Sequence, residues 1–77
     1  MWNRTYYAVE TKHPVNGSRW DGQHVFRVCA DGDRYYAESD NFGCGKSYDT
    51  PDGAIAQLVH DNGAVVLNLR YQGEDKI

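Results

Sequence analysis

A chain of 77 residues suffices for one domain, 1–77, and buries about 60–65% of its unfolded surface, enough for one helix packed on one sheet. An apolar fraction of 40% and an aromatic fraction of 13% exclude a disordered chain. No apolar run approaches the roughly 18–20 residues that span a bilayer, so no membrane partner is expected.

Arg4 to Thr11 carries Tyr, Val and Thr at strand density, with Tyr7 and Val9 alternating against Tyr6 and Ala8. Lys12 to Gln23 holds Pro14, Asn16-Gly17 and Asp21-Gly22 in quick succession and reads as a long loop with Trp20 pinned on the core. His24 to Ala30 is a second strand. Asp31-Gly32 then makes a tight turn, because Gly tolerates positive φ, and Arg34 to Ser39 returns as a third strand. On that strand Tyr35 and Ala37 share one face, and Tyr36 and Glu38 the other. Asp40 to Tyr48 is punctuated by Gly and reads as a turn with a short edge strand around Lys46 to Tyr48.

Thr50 is a natural helix N-cap, Pro51 suits the first helical position, and Asp52 complements the positive helix end. Ala54, Ile55, Leu58 and Val59 fall on one helical stripe, and Asn62-Gly63 ends the helix near Asp61. Ala64 to Tyr71 is the last strand, with Val65, Leu67, Leu69 and Tyr71 facing one way, and Gly73 to Ile77 is a polar tail. The order β-β-β-(β)-α-β predicts an α+β fold, a mostly antiparallel sheet of four to five strands with one helix on one face.

The net charge of −3 is unevenly spread. Asp31 to Asp61 holds Asp31, Asp33, Glu38, Asp40, Asp49, Asp52 and Asp61 against Arg34 and Lys46, a local charge of −5, and the remainder carries +2. Nucleic-acid binders draw most of their affinity from a basic stripe on phosphate, so direct nucleic-acid binding is not expected. A basic protein surface is the expected partner. The start, Met1-Trp2-Asn3-Arg4-Thr5-Tyr6-Tyr7, has no apolar core and no cleavage site of a signal peptide, so Cys29 and Cys44 read as reduced thiols in a cytoplasm.

Gly45-Lys46-Ser47 ends like a phosphate-binding loop, but the position five before Gly45 is Asp40, a carboxylate where phosphate would sit. His13, His24, His60, Cys29 and Cys44 contain no Cys-x-x-Cys and no His pair at helical spacing, so no metal is expected. Cys44 with His60 has the residue types of a nucleophile and its base but no third group to orient them. The expectation is a chain without catalytic residues, metal or cofactor. Tyr6-Tyr7 and Tyr35-Tyr36 each place one ring away from the core, either as ordinary surface or as interface, where Tyr is enriched.

Asp31-Gly32-Asp33, Tyr35-Tyr36-Ala37-Glu38-Ser39, Gly43-Cys44 and Asp49-Thr50-Pro51 before Ala54-Ile55-Ala56-Gln57-Leu58 resemble the HicB-like antitoxin module. That resemblance covers Asp31–Leu58 and implies strand, acidic-Gly turn, strand, Gly-Cys turn and capped Ala-rich helix, and a role in neutralising a toxin ribonuclease by direct binding. The chain departs from it in carrying Asp52-Gly53 where the family has two acids, and in adding a strand and loop ahead of the module. With Ile77 as the last residue, the DNA-binding domain that most such antitoxins append is not expected, nor is operator binding.

The whole-chain profile, short, acidic and without chemistry, also resembles phage-encoded anti-CRISPR inhibitors. This resemblance implies a non-catalytic inhibitor in a host bacterial cell that blocks a basic nucleic-acid-binding protein, such as a CRISPR effector subunit. Either way the expected contact residues are Asp31, Asp33, Glu38, Asp40, Asp49 and Asp52, with Tyr36.

Overall fold

The computed structural model describes residues 3–76; Met1, Trp2 and Ile77 lie outside them. The elements are β1 (Asn3–Lys12), β2 (Gly22–Asp31), β3 (Arg34–Ser39), β4 (Gly43–Cys44), α1 (Pro51–Asp61) and β5 (Val65–Lys76). All five strands join one antiparallel sheet in the order β4-β3-β2-β1-β5, with α1 on one face, the expected α+β architecture.

The helix begins and ends where its caps dictate. Thr50 is extended (φ −132°, ψ 152°), and its Oγ1 accepts from the Gly53 amide at 3.0 Å. A Cβ on Gly53 would lie 2.9 Å from that hydroxyl, which accounts for Gly after Asp52. At the other end Gly63 takes φ +82°, where an L side chain is strained, and its amide reaches the His60 carbonyl. Asn62 Nδ2 donates to the Leu58 carbonyl at 2.9 Å and reaches the Phe42 carbonyl at 3.4 Å, tying the helix end to the turn before β4.

Ala54, Ile55, Leu58 and Val59 are buried against β3 chiefly, with lighter contact to β5 and β2. Beneath them lie Val9, Phe26, Val28, Ala37 and Phe42. The chain after β4 passes close under the helix: Gly45 donates to the Ala37 carbonyl at 2.9 Å, and a Cβ there would sit 3.4 Å from Leu58 Cβ. Gly45 is thus a packing glycine. Thr11, also buried, fixes the long loop by donating from Oγ1 to the Trp20 carbonyl at 2.7 Å, and Trp20 packs against the core as expected.

Several boundaries differ from the sequence reading. The first two strands run one or two residues further at each end, so the loop shortens to 13–21. The short edge strand is Gly43–Cys44 rather than Lys46 to Tyr48, and Tyr48 makes only an isolated bridge to Tyr35.

The largest correction concerns β5. Register shifts against β1 fall between Glu10 and Thr11 and between Tyr6 and Tyr7. Leu69 pairs with Val9 but Val66 with Thr11, so Leu67 is the extra residue of a bulge. Val66 and Leu69 therefore pack toward the core, while Val65 and Leu67 are 55% and 58% exposed. The supposed tail from Gly73 stays in the ladder, where Lys76 pairs with Asn3.

His24 is buried edge-on to Phe42, with ring centroids 4.9 Å apart. Asn41 Nδ2 lies 3.3 Å from its Nδ1, a donation that needs the neutral ring. Burial pushes the His24 pKa down, and Asp21 only partly opposes it.

Two outcomes follow from this packing. Leu58→Ala opens a cavity under the helix and should cost about 2–5 kcal/mol, read as a lower urea midpoint with an unchanged slope. Because the folded state holds His24 below its unfolded value, unfolding takes up a proton, so stability is full above about pH 6.5 and falls as pH drops through the folded pKa. Melting temperatures between pH 7.5 and 5.5 should show that loss, and His24→Gln should flatten it.

Candidate functional site

Strand alternation sorts the tyrosines before any packing does. Tyr7 and Tyr35 share the helix-side face with Val9 and Ala37, while Tyr6 and Tyr36 share the other with Arg27 and Glu38. The helix starts partway along the sheet, because Tyr48 is bridged to Tyr35 and Pro51 follows three residues later. Below that start the helix-side face is uncovered.

A cavity of about 350 Å³ occupies the uncovered stretch, lined by Thr5, Tyr7, Val28, Ala30, Tyr35, Pro51 and Glu74. Tyr71 stands beside it, edge-on to Tyr7 with centroids 5.7 Å apart and planes at 76°. Burial raises the Tyr7 pKa most; the Asp52 carboxylate and then Tyr71 raise it further, and a hydrogen bond with Thr5 opposes them. Asp52 is thus electrostatically coupled to the cavity's central phenol.

Several acids lie at this end of the molecule. Asp31 closes β2 and Asp33 lies in the following turn, both exposed. Asp52 occupies the first helical turn, and Glu74 arrives on β5, paired with Thr5. Asp49 sits there too, but Arg34 holds it: Nη1 meets Asp49 Oδ1 at 2.9 Å, and Nη2 donates to the Ser47 carbonyl at 2.9 Å. Asp31, Asp33, Asp49 and Asp52 are thereby brought to one end.

The other expected contact residues lie elsewhere. Glu38 and Asp40 flank Arg27 on the helix-free face, at 3.0 Å from Nε and 3.4 Å from Nη2. The Asp40 side chain is 92% exposed, so that pair contributes little, whereas Glu38 and Arg27 are both about 70% covered. Tyr36 is on the same face, hydrogen-bonded to Cys29, which raises the Tyr36 pKa. Cys29 lies between Arg4 and Tyr36 on neighbouring strands and is only 1% exposed.

Cys44 and His60 do not meet. Cys44 pairs with Glu38 and so faces the helix-free side, while His60 is exposed on the helix at the opposite face. Burial, Glu38 and Cys29 together raise the Cys44 pKa, which keeps the thiol protonated rather than activated. Among the described residues no three of His, Cys, Asp and Glu group as metal ligands do. No helix among them is long and apolar enough to cross a membrane.

Sequence reasoning missed Tyr7, Tyr35, Tyr71 and Glu74 as a group. The alternation of β1 and β3 already put Tyr7 and Tyr35 on one face. Glu74 carried no signal, because its place depends on where β5 pairs.

The coupling of Tyr7 to Asp52 has a direct readout. In an alkaline titration of ring-labelled tyrosine followed by NMR, Tyr7 should ionise above an ordinary phenol. Asp52→Asn should bring it down and leave Tyr36 unmoved, since Asp52 is not among the causes of the Tyr36 shift. A Tyr7 midpoint indifferent to Asp52 would separate the helix start from the cavity.

Compared with known proteins, the chain matches no family model, no curated protein and no solved structure.

Proposed function

We propose that this protein is a non-catalytic inhibitor that docks its acid-rich end on a basic nucleic-acid-binding protein and blocks it, in the manner of phage-encoded anti-CRISPR proteins acting in a host cytoplasm. The observation that carries the reading is that the exposed Asp31, Asp33 and Asp52 lie at the end of the sheet that also holds the tyrosine-lined cavity, whose lining includes Glu74. Arg34, the base on the adjoining strand, is committed to Asp49 and Ser47. Such an end repels phosphate and attracts the lysine and arginine clusters that phosphate-binding proteins present. Tyrosines beside the acids add contact area with few rotatable bonds, as in the centres of protein interfaces.

A second reading, neutralisation of a toxin ribonuclease, draws support from chain order. The stretch resembling the HicB-like module falls on consecutive elements: the end of β2, β3, β4, the Thr50 cap and α1. Both readings invoke the same contact, and they differ in the protein contacted.

The experiment is surface plasmon resonance against purified CRISPR effector complexes and toxin ribonucleases, at several salt concentrations. Reversing Asp31 and Asp33 to Lys should slow association at least about tenfold at low salt with an unchanged melting temperature, and the gap should close as salt rises. Reversing Glu38 and Asp40 should matter less, because both lie on the helix-free face and Arg27 already pairs with Glu38. If reversal of Arg4 and Lys12 does the damage instead, the partner is acidic or is nucleic acid itself, and both readings fall.

A further inference from the structure

The cavity at the helix start has a chemistry of its own. Tyr7 and Tyr35 bring aromatic rings to its lining, Val28, Ala30 and Pro51 bring apolar groups, and Thr5, Glu74 and the two phenols bring polar ones. Its volume, about 350 Å³, sits at the small end of ligand sites, which run from about 300 to 1,000 Å³. The Glu74 carboxylate in its lining, with Asp52 in the helix turn that follows Pro51, works against phosphates and carboxylates as ligands. The positive helix end is already offset, by the Thr50 hydroxyl on the Gly53 amide and by Asp52 in the first turn.

Aromatic faces beside a carboxylate favour an organic cation. A guanidinium suits the site better than an ammonium. It is planar and stacks on a tyrosine ring, it is more weakly hydrated, and its five donors match acceptors spread over a carboxylate, a hydroxyl and phenols. Resting on the function proposed above, we infer that the cavity receives one arginine side chain of the partner protein, stacked on Tyr35 or Tyr7 and paired with Glu74. Arginine is a leading phosphate ligand of nucleic-acid-binding proteins. Its capture would remove one such contact from the partner.

The probe is the peptide acetyl-Gly-Arg-Gly-amide, titrated into isotope-labelled protein and followed by NMR, beside versions with citrulline or lysine in place of arginine. Citrulline keeps the shape of arginine and loses its charge. The arginine peptide should shift the amides of Thr5, Tyr7, Tyr35 and Glu74 with a Kd on the order of 1 mM, and the citrulline peptide should stay unsaturated at about 20 mM. Glu74→Gln, a change at an exposed edge position, should weaken arginine about fivefold without moving the melting temperature. Citrulline binding as well as arginine, shifts confined to other residues, or indifference to Glu74→Gln would each overturn the site. Lysine equal to arginine would overturn the guanidinium assignment. The two proposals fail separately: the citrulline comparison is independent of any partner, whereas intact arginine binding with partners insensitive to Asp31 and Asp33 would refute only the function.

Discussion

An eleven-residue helix is about 16 Å long, whereas the ten-residue strands of β1 and β2 run to about 34 Å. One helix cannot roof such a sheet along its whole length, and the molecule is accordingly drawn out, 40 Å by 20 Å by 18 Å. Everything else in the structure is arranged around that shortfall. Where the helix lies, the core is aliphatic and aromatic and fully closed by Ile55, Leu58, Val59 and Phe42. Beyond its N-terminus the same face must be covered by side chains alone. Tyrosine does this well, because its ring buries the sheet while its hydroxyl stays compatible with water.

The face that no helix touches meets the same problem differently. Arg4 and Tyr36 flank the Cys29 thiol from the two neighbouring strands, and Arg27 is paired with Glu38. Long side chains lying flat over a sheet bury their stems and keep their heads in solvent. On this face Glu38 has a cation beside it, whereas the Glu74 carboxylate in the cavity lining comes from the opposite edge strand, outside the acidic stretch of sequence.

Most of the fold was legible because its punctuation is chemical. Thr50-Pro51 and Asn62-Gly63 fix the helix to the residue, and Asp31-Gly32 fixes the hairpin, since each uses a backbone conformation or an orphan amide that few residues satisfy. The last strand was legible only in part. Val65, Leu67 and Leu69 alternate cleanly in sequence, yet a bulge at Leu67 breaks the period in space and turns two of the three outward. Bulges leave no mark in composition. For the site, the clustering of acids along the chain was real, but a run of charge does not say which face each residue takes. Glu38 and Asp40 went to Arg27, and Glu74, outside the run altogether, joined the cavity.

The two edges of the sheet are unequal. One is β4, two residues long and carrying Gly43 at φ +79°; the other is β5, twelve residues long with Leu67 and Tyr71 exposed beside Arg70 and Glu74. A two-residue edge offers too few free amides and carbonyls to template another strand. Strand addition therefore has a single direction open to it. A second copy docking through β5 about a two-fold axis would present a β4 edge at each outer end, and growth would stop at two molecules rather than run on into a fibre.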